Sequence, residues 1–228
     1  MKIFEINILL ILLLIFIEVP GFAQSEKYMI NNSIIIPLKI GRNPSTQFET
    51  LIIEPANLFI QSETINKHSP HIQLELNIIE DNRRYSTFLW YYDESNGSQI
   101  INYPKAYQNY AFNLKINKEK IELVVKKLDF RKAMFIDLGQ TAIIGNLKIL
   151  FEDYFGESSV DINGNQTNAF NTYHITLSEG NEQKTMSFMS LNKLVGEELS
   201  LEWKDYKILI LEDSEKALKL MVCKNDSK

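Results

Sequence analysis

Apolar and polar residues alternate at every second position in short runs along much of the chain, and polar turns separate the runs. In the clearest run, residues 110–116, four apolar or aromatic side chains fall on one face of an extended strand. A polar turn at 117–120 follows, and an apolar run returns at 121–125. Two-residue alternation rich in β-branched and aromatic residues predicts half-buried strands, and this pair of runs predicts a hairpin.

The same pattern predicts an all-β protein. An amphipathic helix would need apolar residues at helical spacing over about three turns, and no such stretch follows residue 23. Most connections between the runs are short. The longest polar stretch, residues 156–171, is expected to be a loop.

The order of runs and turns occurs twice along the chain. A second hairpin pattern at residues 206–222 repeats that of residues 110–125 at a spacing of 96 positions, measured between the tyrosines that begin them (206 − 110 = 96). Residues 71–74 and 174–177 share the order His, Ile, a polar residue and Leu. Self-similarity at a fixed period indicates repeated structural units. The alternative is that two β-rich segments align by chance when gaps are allowed.

A duplication predicts two domains of similar build, residues 26–129 and residues 131–224. Each would contain about six or seven strands, which suits an antiparallel β-sandwich of two packed sheets. The connection at 129–132 is very short, so we expect two tandem β-sandwich-like domains that touch each other.

The first 23 residues have the layout of a secretory signal peptide. Every residue from 8 to 17 is Ile, Leu or Phe, and the small residues Gly21 and Ala23 place a cleavage point before Gln24. A spanning helix needs about 20 apolar residues, so the run is short for a permanent anchor, which is the alternative interpretation. We therefore predict cleavage of residues 1–23, export to the periplasm or the outside of the cell, and no stable membrane span.

The charge balance disfavours nucleic acid as a partner. The chain has 24 Lys and Arg against 29 Asp and Glu, a net charge of −5, and removal of Lys2, Glu5 and Glu18 with the leader changes the net charge to −4. Nucleic-acid binding requires clustered cations, whereas lysine is scattered along this chain. The abundance of Ile, Asn and Lys is typical of AT-rich bacterial genomes and favours a bacterial origin.

The cysteine content excludes an internal disulfide, because Cys223 is the only cysteine in the chain. Cys223 lies in an apolar run, so we expect it to be a small buried hydrophobic residue. An exported domain without a disulfide depends on its hydrophobic core for stability.

A calcium loop is the only cofactor site that the sequence suggests. Asp161, Asn163 and Asn165 place oxygen atoms at alternate positions, as calcium-binding loops do. However, Gly164 is the fourth residue of this stretch, where an EF-hand loop has its glycine at the sixth. The alternative, which the sequence favours, is an Asn-Gly turn in a polar loop without a cofactor.

Aromatic residues concentrate in the first half of the chain. Phe88 and Trp90 share one strand face, and we expect them in the core. Tyr91 falls on the other face and is followed by Asp93 and Glu94. We predict that Tyr91, Asp93 and Glu94 form an exposed binding contact.

The motifs of common hydrolases and nucleotide-binding enzymes are missing. The chain has no G-x-S-x-G motif and no adjacent pair of glycines. We predict a non-catalytic binding or assembly protein of the bacterial cell envelope, which acts through its β-domain surfaces on a protein or glycan partner. The alternative is a small secreted or periplasmic hydrolase on a single β scaffold.

Overall fold

A computed structural model describes residues 28–30, 32–61, 71–92, 102–117, 120–160, 162–164, 166–190 and 199–225. The predicted signal peptide, residues 1–23, lies outside these ranges. Within them the chain forms strands, turns and bends without a helix, so the all-β prediction is confirmed. Over the same ranges, no helix has the length and apolar character needed to cross a membrane.

The strands in chain order are β1 (Tyr28–Ile30), β2 (Ser33–Leu38), β3 (Thr46–Phe48), β4 (Leu51–Ile60), β5 (Ile72–Glu80), β6 (Arg83–Tyr91), β7 (Lys105–Tyr107), β8 (Tyr110–Asn117), β9 (Lys120–Lys127), β10 (Ala133–Asp137), β11 (Thr141–Ile144), β12 (Leu147–Val160), β13 (Gln166–Glu179), β14 (Glu182–Ser190), β15 (Leu199–Trp203), β16 (Tyr206–Asp213) and β17 (Ala217–Lys224).

These strands form three sheets. The long sheet has nine strands in the order β1-β2-β9-β8-β7-β10-β17-β16-β15. The N-terminal small sheet has the order β3-β4-β5-β6, and the C-terminal small sheet has the order β11-β12-β13-β14. The ladders between the described strands are antiparallel except that of β7 with β10, which is parallel.

The two-residue alternation of the sequence corresponds to burial in the structure. In β2, Ile34, Ile36 and Leu38 are buried, and the residues between them are half-buried. The predicted hairpin forms from β8 and β9, which pair without interruption from Tyr110↔Lys127 to Asn117↔Lys120. Alternation therefore located the strands correctly in these segments.

Residues 156–160 and 166–171 lie in strands β12 and β13, so the prediction of a loop from the polar composition of this stretch was wrong for these residues. Strands β12 and β13 continue their pairing as far as Val160↔Gln166. Backbone hydrogen bonds extend this hairpin through residues whose side chains have low strand preference. Two register shifts, at Phe151/Asp153 and Glu157/Ser158, interrupt the ladder.

Two hydrophobic clusters hold the sheets together. The N-terminal cluster consists of buried residues from β2–β9, among them Leu74, Tyr107 and Phe112. The C-terminal cluster consists of buried residues from β7 and β10–β17, among them Ala106 and Leu177. Each small sheet thus packs against part of the long sheet through one cluster.

The small sheets pack on opposite faces of the long sheet. Consecutive residues of a strand point to opposite faces. On β7, Ala106 is buried in the C-terminal cluster, and Tyr107 is buried in the N-terminal cluster. Strand β7 therefore contributes to both cores, one on each side of the sheet.

The two halves of the chain meet at β7 and β10. Phe135 pairs with Lys105, and Gln108 forms an isolated parallel bridge with Ala142. The predicted domain boundary, residues 129–131, lies in the connection between β9 and β10. The long sheet runs across this boundary, and the division into two domains stays a prediction.

Because both clusters share the long sheet, we expect the protein to unfold in one cooperative transition. Leu74 and Leu177 are fully buried in the N-terminal and C-terminal clusters, respectively. Leu74→Ala and Leu177→Ala should each lower the free energy of unfolding by about 2–5 kcal/mol. Urea denaturation followed by circular dichroism measures the effect. Two separate transitions, each shifted by only one of the substitutions, would contradict the prediction.

Candidate functional site

A groove of about 1230 Å³ lies beside β6, the last strand in the order of the N-terminal small sheet. We call it the β6 groove. Its wall is β6 from Tyr85 to Trp90, and its floor comes from β7, β8, β10 and the hairpin of β16 and β17. Residues of both halves of the chain therefore line it.

Strand β6 directs its side chains to two sides. Thr87 and Leu89 are buried beneath the small sheet. Phe88 and Trp90 lie on the other side and are 41% and 48% exposed, so the expectation that they belong to the core was wrong. Alternation correctly placed these two residues on one face, but it does not specify which face another sheet covers.

A hydrogen-bonded cluster joins the wall of the groove to its floor. Asp137 Oδ2 accepts hydrogen bonds from the Tyr85 hydroxyl, from Thr87 Oγ1 at 2.9 Å and from Lys105 Nζ at 3.0 Å. Lys105 Nζ also donates to Thr87 Oγ1 at 2.8 Å. The Lys105 and Asp137 side chains are only 13% and 19% exposed, so this ion pair is largely shielded from water.

The cluster keeps the Tyr85 phenol protonated. Burial, reinforced by the charge of Asp137 and the hydrogen bond to it, raises the pKa of Tyr85 above its ordinary value of 10.0. The Tyr85 ring also stacks on Tyr107 of β7, with ring centroids 5.2 Å apart. Tyr85 thus fixes β6 to the long sheet by both a hydrogen bond and an aromatic contact.

Aromatic rings and ammonium groups alternate along the groove. Lys105 Nζ lies 5.5 Å from the centroid of the Trp90 ring, and Lys219 Nζ lies 3.9 Å from that of Tyr103. Lys219 also forms an ion pair with Glu212. Such cation–π contacts orient the rings and reduce the exposure of the charges.

Among the described residues of the groove lining, the charges cancel. Three cationic residues face three anionic ones; they are Lys105, Lys216, Lys219, Asp137, Glu212 and Glu215. The groove therefore presents aromatic surface without a net charge, and its electrostatics do not favour a strongly charged ligand.

The side chain of Asn102 binds the backbone at the end of β6. Its Nδ2 donates to the Tyr92 carbonyl oxygen at 2.9 Å, and its Oδ1 accepts from the Tyr92 amide at 2.7 Å. One side-chain amide thus makes the two bonds that a peptide group of a neighbouring strand would make. Asn102 and Tyr92 both line the groove.

Tyr91, one of the three residues of the predicted binding contact, is the last residue of β6. Tyr91 is half-buried and packs against the N-terminal cluster, and its role in a binding contact stays a prediction. Asp93 and Glu94 lie outside the described residues. The neighbours of Tyr91 on either side, Trp90 and Tyr92, line the groove.

The candidate calcium site is described only in part. Asn163 lies in an exposed turn, and Asp161 and Asn165 lie outside the described residues. Within the ranges given above, no group of three or more His, Cys, Asp or Glu residues could hold a metal ion. The calcium hypothesis rests on the sequence pattern alone.

No protein-family model matches the chain, and a search of curated proteins finds no significant relative.

We expect Tyr85 to make stability depend on alkaline pH. An unfolded tyrosine ionises near pH 10, whereas the raised pKa keeps folded Tyr85 neutral, so its contribution is full below about pH 10 and is lost as the pH rises. Tyr85→Phe should lower the free energy of unfolding by about 0.5–1.5 kcal/mol at pH 7. The difference in free energy of unfolding between Tyr85→Phe and the wild type should narrow between about pH 9 and pH 11, and urea denaturation at each pH measures it.

Other tyrosines with a raised pKa, such as Tyr206, affect the stability of both proteins at alkaline pH, and their effect cancels when the two stabilities are subtracted. Burial and its bond to Glu179 raise the pKa of Tyr206 to about 12, and this contribution is the same in the wild type and in Tyr85→Phe. Stability curves that stay parallel from pH 7 to pH 11 would show that Tyr85 ionises normally.

Proposed function

We propose that this chain is an exported, non-catalytic binding protein of the bacterial cell envelope and that the β6 groove is its binding site. The observation that carries the proposal is a large concave surface with exposed aromatic side chains, Phe88 and Trp90, next to a fixed polar cluster. Pockets for small ligands typically have volumes of about 300–1000 Å³. The β6 groove is larger, at about 1230 Å³, which favours a segment of a polymer as its occupant.

The polar cluster supports binding more than catalysis. The Thr87 hydroxyl donates its only proton to Asp137 and accepts from Lys105, so its proton is already engaged within the protein. A catalytic carboxylate or hydroxyl must be available to a substrate. The alternative function, a small hydrolase on one β scaffold, has less support from this arrangement.

We also propose that the two halves are tandem β-sandwich units related by duplication. The order β2-β9-β8-β7 has its counterpart in β10-β17-β16-β15, and each half adds a small sheet of four consecutive strands. Tyr110 pairs with Lys127 and Tyr206 pairs with Lys224, and in both pairs the ammonium group lies over the ring. This agreement supports the spacing found in the sequence.

Export can be tested on the protein from its native cells. Cleavage after Ala23 should give a mature chain that begins at Gln24, which intact-mass measurement and N-terminal sequencing would identify in the periplasmic or culture fraction. A chain that starts at Met1 in the cytoplasmic fraction would contradict the proposal.

Binding can be followed through Trp90, because the chain has two tryptophans and the other, Trp203, packs against the C-terminal cluster. In the Trp203→Phe variant, Trp90 is the sole source of tryptophan emission. We expect its emission to change when either a pool of ten-residue peptides or a digest of peptidoglycan is added. Trp90→Ala should weaken binding about tenfold or more, as expected for an aromatic anchor.

Phe59→Ala is the matched control, because Phe59 is an exposed aromatic residue of the same small sheet but does not line the groove. Calorimetry with both variants would measure the affinities. The proposal fails if neither probe binds, or if the Phe59 and Trp90 variants bind equally well.

A further inference from the structure

We infer that the β6 groove takes an extended, uncharged peptide that pairs with the edge of β6 to which no described strand is bonded, and that it adds a fifth strand to the N-terminal small sheet. This inference rests on the proposed function and names the class of ligand. Addition of a strand to a sheet edge is an established mode of peptide recognition, in which backbone bonds supply affinity and side-chain pockets supply specificity.

Alternate residues of β6 direct their backbone N–H and C=O groups away from β5, toward the groove. The Tyr91 carbonyl accepts a hydrogen bond from the His71 amide at 2.8 Å, so the backbone of Tyr91 points toward the β5 side. Backbone groups alternate in direction along a strand, and β5 and β6 pair through nine consecutive residues without a register shift. The N–H and C=O groups of Ser86, Phe88 and Trp90 therefore point to the opposite edge, into the groove.

Asn102 supports this assignment independently. Its side-chain amide binds the N–H and C=O of Tyr92, the next residue in the same alternation. The protein itself thus places an amide group against the groove side of this backbone. A peptide continuing from that point along β6 would make the same bonds to Trp90, Phe88 and Ser86.

The composition of the edge also favours an added strand. Proteins protect sheet edges with short strands, charges, prolines or bulges. Among the six sheet-end strands, β1, β3, β11 and β15 are three to five residues long, whereas β6 and β14 have nine residues each, and of these two only β6 lines the groove. From Tyr85 to Trp90 it has no charge, proline or bulge. Within the described residues, these devices do not protect this part of the edge.

The floor of the groove indicates the side chains of the peptide. Alternate residues of an added strand would face Tyr103 and Phe135, and the charges of Lys105 and Lys219 are already paired with Asp137 and Glu212. Beside these two ion pairs, a charged side chain would lose hydration without gaining a new ion pair. We therefore expect aliphatic or aromatic residues at every second position.

The test uses a library of uncharged ten-residue peptides with apolar residues at alternate positions, screened by Trp90 emission in full-length Trp203→Phe. The tightest binder is then synthesised in two forms, with N-methyl groups on the odd or on the even amides. Only one set of amides can face β6, so we expect one form to lose at least tenfold in affinity and the other to bind nearly as the parent. Equal affinity of all three forms would overturn the inference.

A pair of protein variants tests the same pairing by changing β6 and leaving the peptide unchanged. Phe88→Pro removes an amide that points into the groove without removing a bond to β5, and Phe88→Ala removes only the side chain. We expect the proline variant to bind the selected peptide at least tenfold more weakly than the alanine variant. Equal affinity of the two variants for the peptide would overturn the inference. If Phe88→Pro does not fold, the N-methylated peptides provide the test.

The outcomes separate this inference from the proposed function. If peptidoglycan fragments change the Trp90 emission and no peptide does, the peptide inference fails and the binding function stands. If neither probe binds, both fail. Sedimentation of the free protein gives a further outcome: a dimer that Phe88→Pro dissociates would show that a second copy of the chain, not a peptide ligand, occupies the edge.

Discussion

The architecture depends on one strand of three residues. Strand β7 joins the two halves through its parallel pairing with β10, and its consecutive residues Ala106 and Tyr107 enter different cores. The alternation of side chains along a strand thus forces the two small sheets onto opposite faces of the long sheet. Neither core could shift along the sheet without affecting the strand that the other core also uses.

The β6 groove is a consequence of this offset. The N-terminal small sheet covers its face of the long sheet only up to β6, and on that face the long sheet continues through β10 and β17. A step forms where the cover ends, with a strand edge as its wall and the next strands as its floor. The side chains of β6 at this step differ in their exposure to solvent. Thr87 and Leu89 are buried, whereas Phe88 and Trp90 face the open side.

The sequence alone predicted the strands well and the site poorly. Two-residue alternation identified the hairpin of β8 and β9, because burial follows the same period as the side chains. It could not decide whether Phe88 or its neighbour Thr87 faces a core, since that depends on which sheet lies above. Thr87 and Asp137 are 50 positions apart and share no motif, and they meet because the small sheet packs on the long sheet and β10 pairs with β7. The register of β12 and β13 beyond residue 156 depends on backbone bonds, which composition does not reveal.

The cluster around Asp137 has a consequence for how fast the groove can be filled. Its donors come from β6 and β7, and its acceptor comes from β10, so it sets the width between wall and floor before any partner arrives. A receptor of fixed width loses little conformational entropy on association and needs no opening step. The encounter rate would then depend on how often the partner is already extended, and partners stiffened by β-branched residues would associate faster than flexible ones of equal composition.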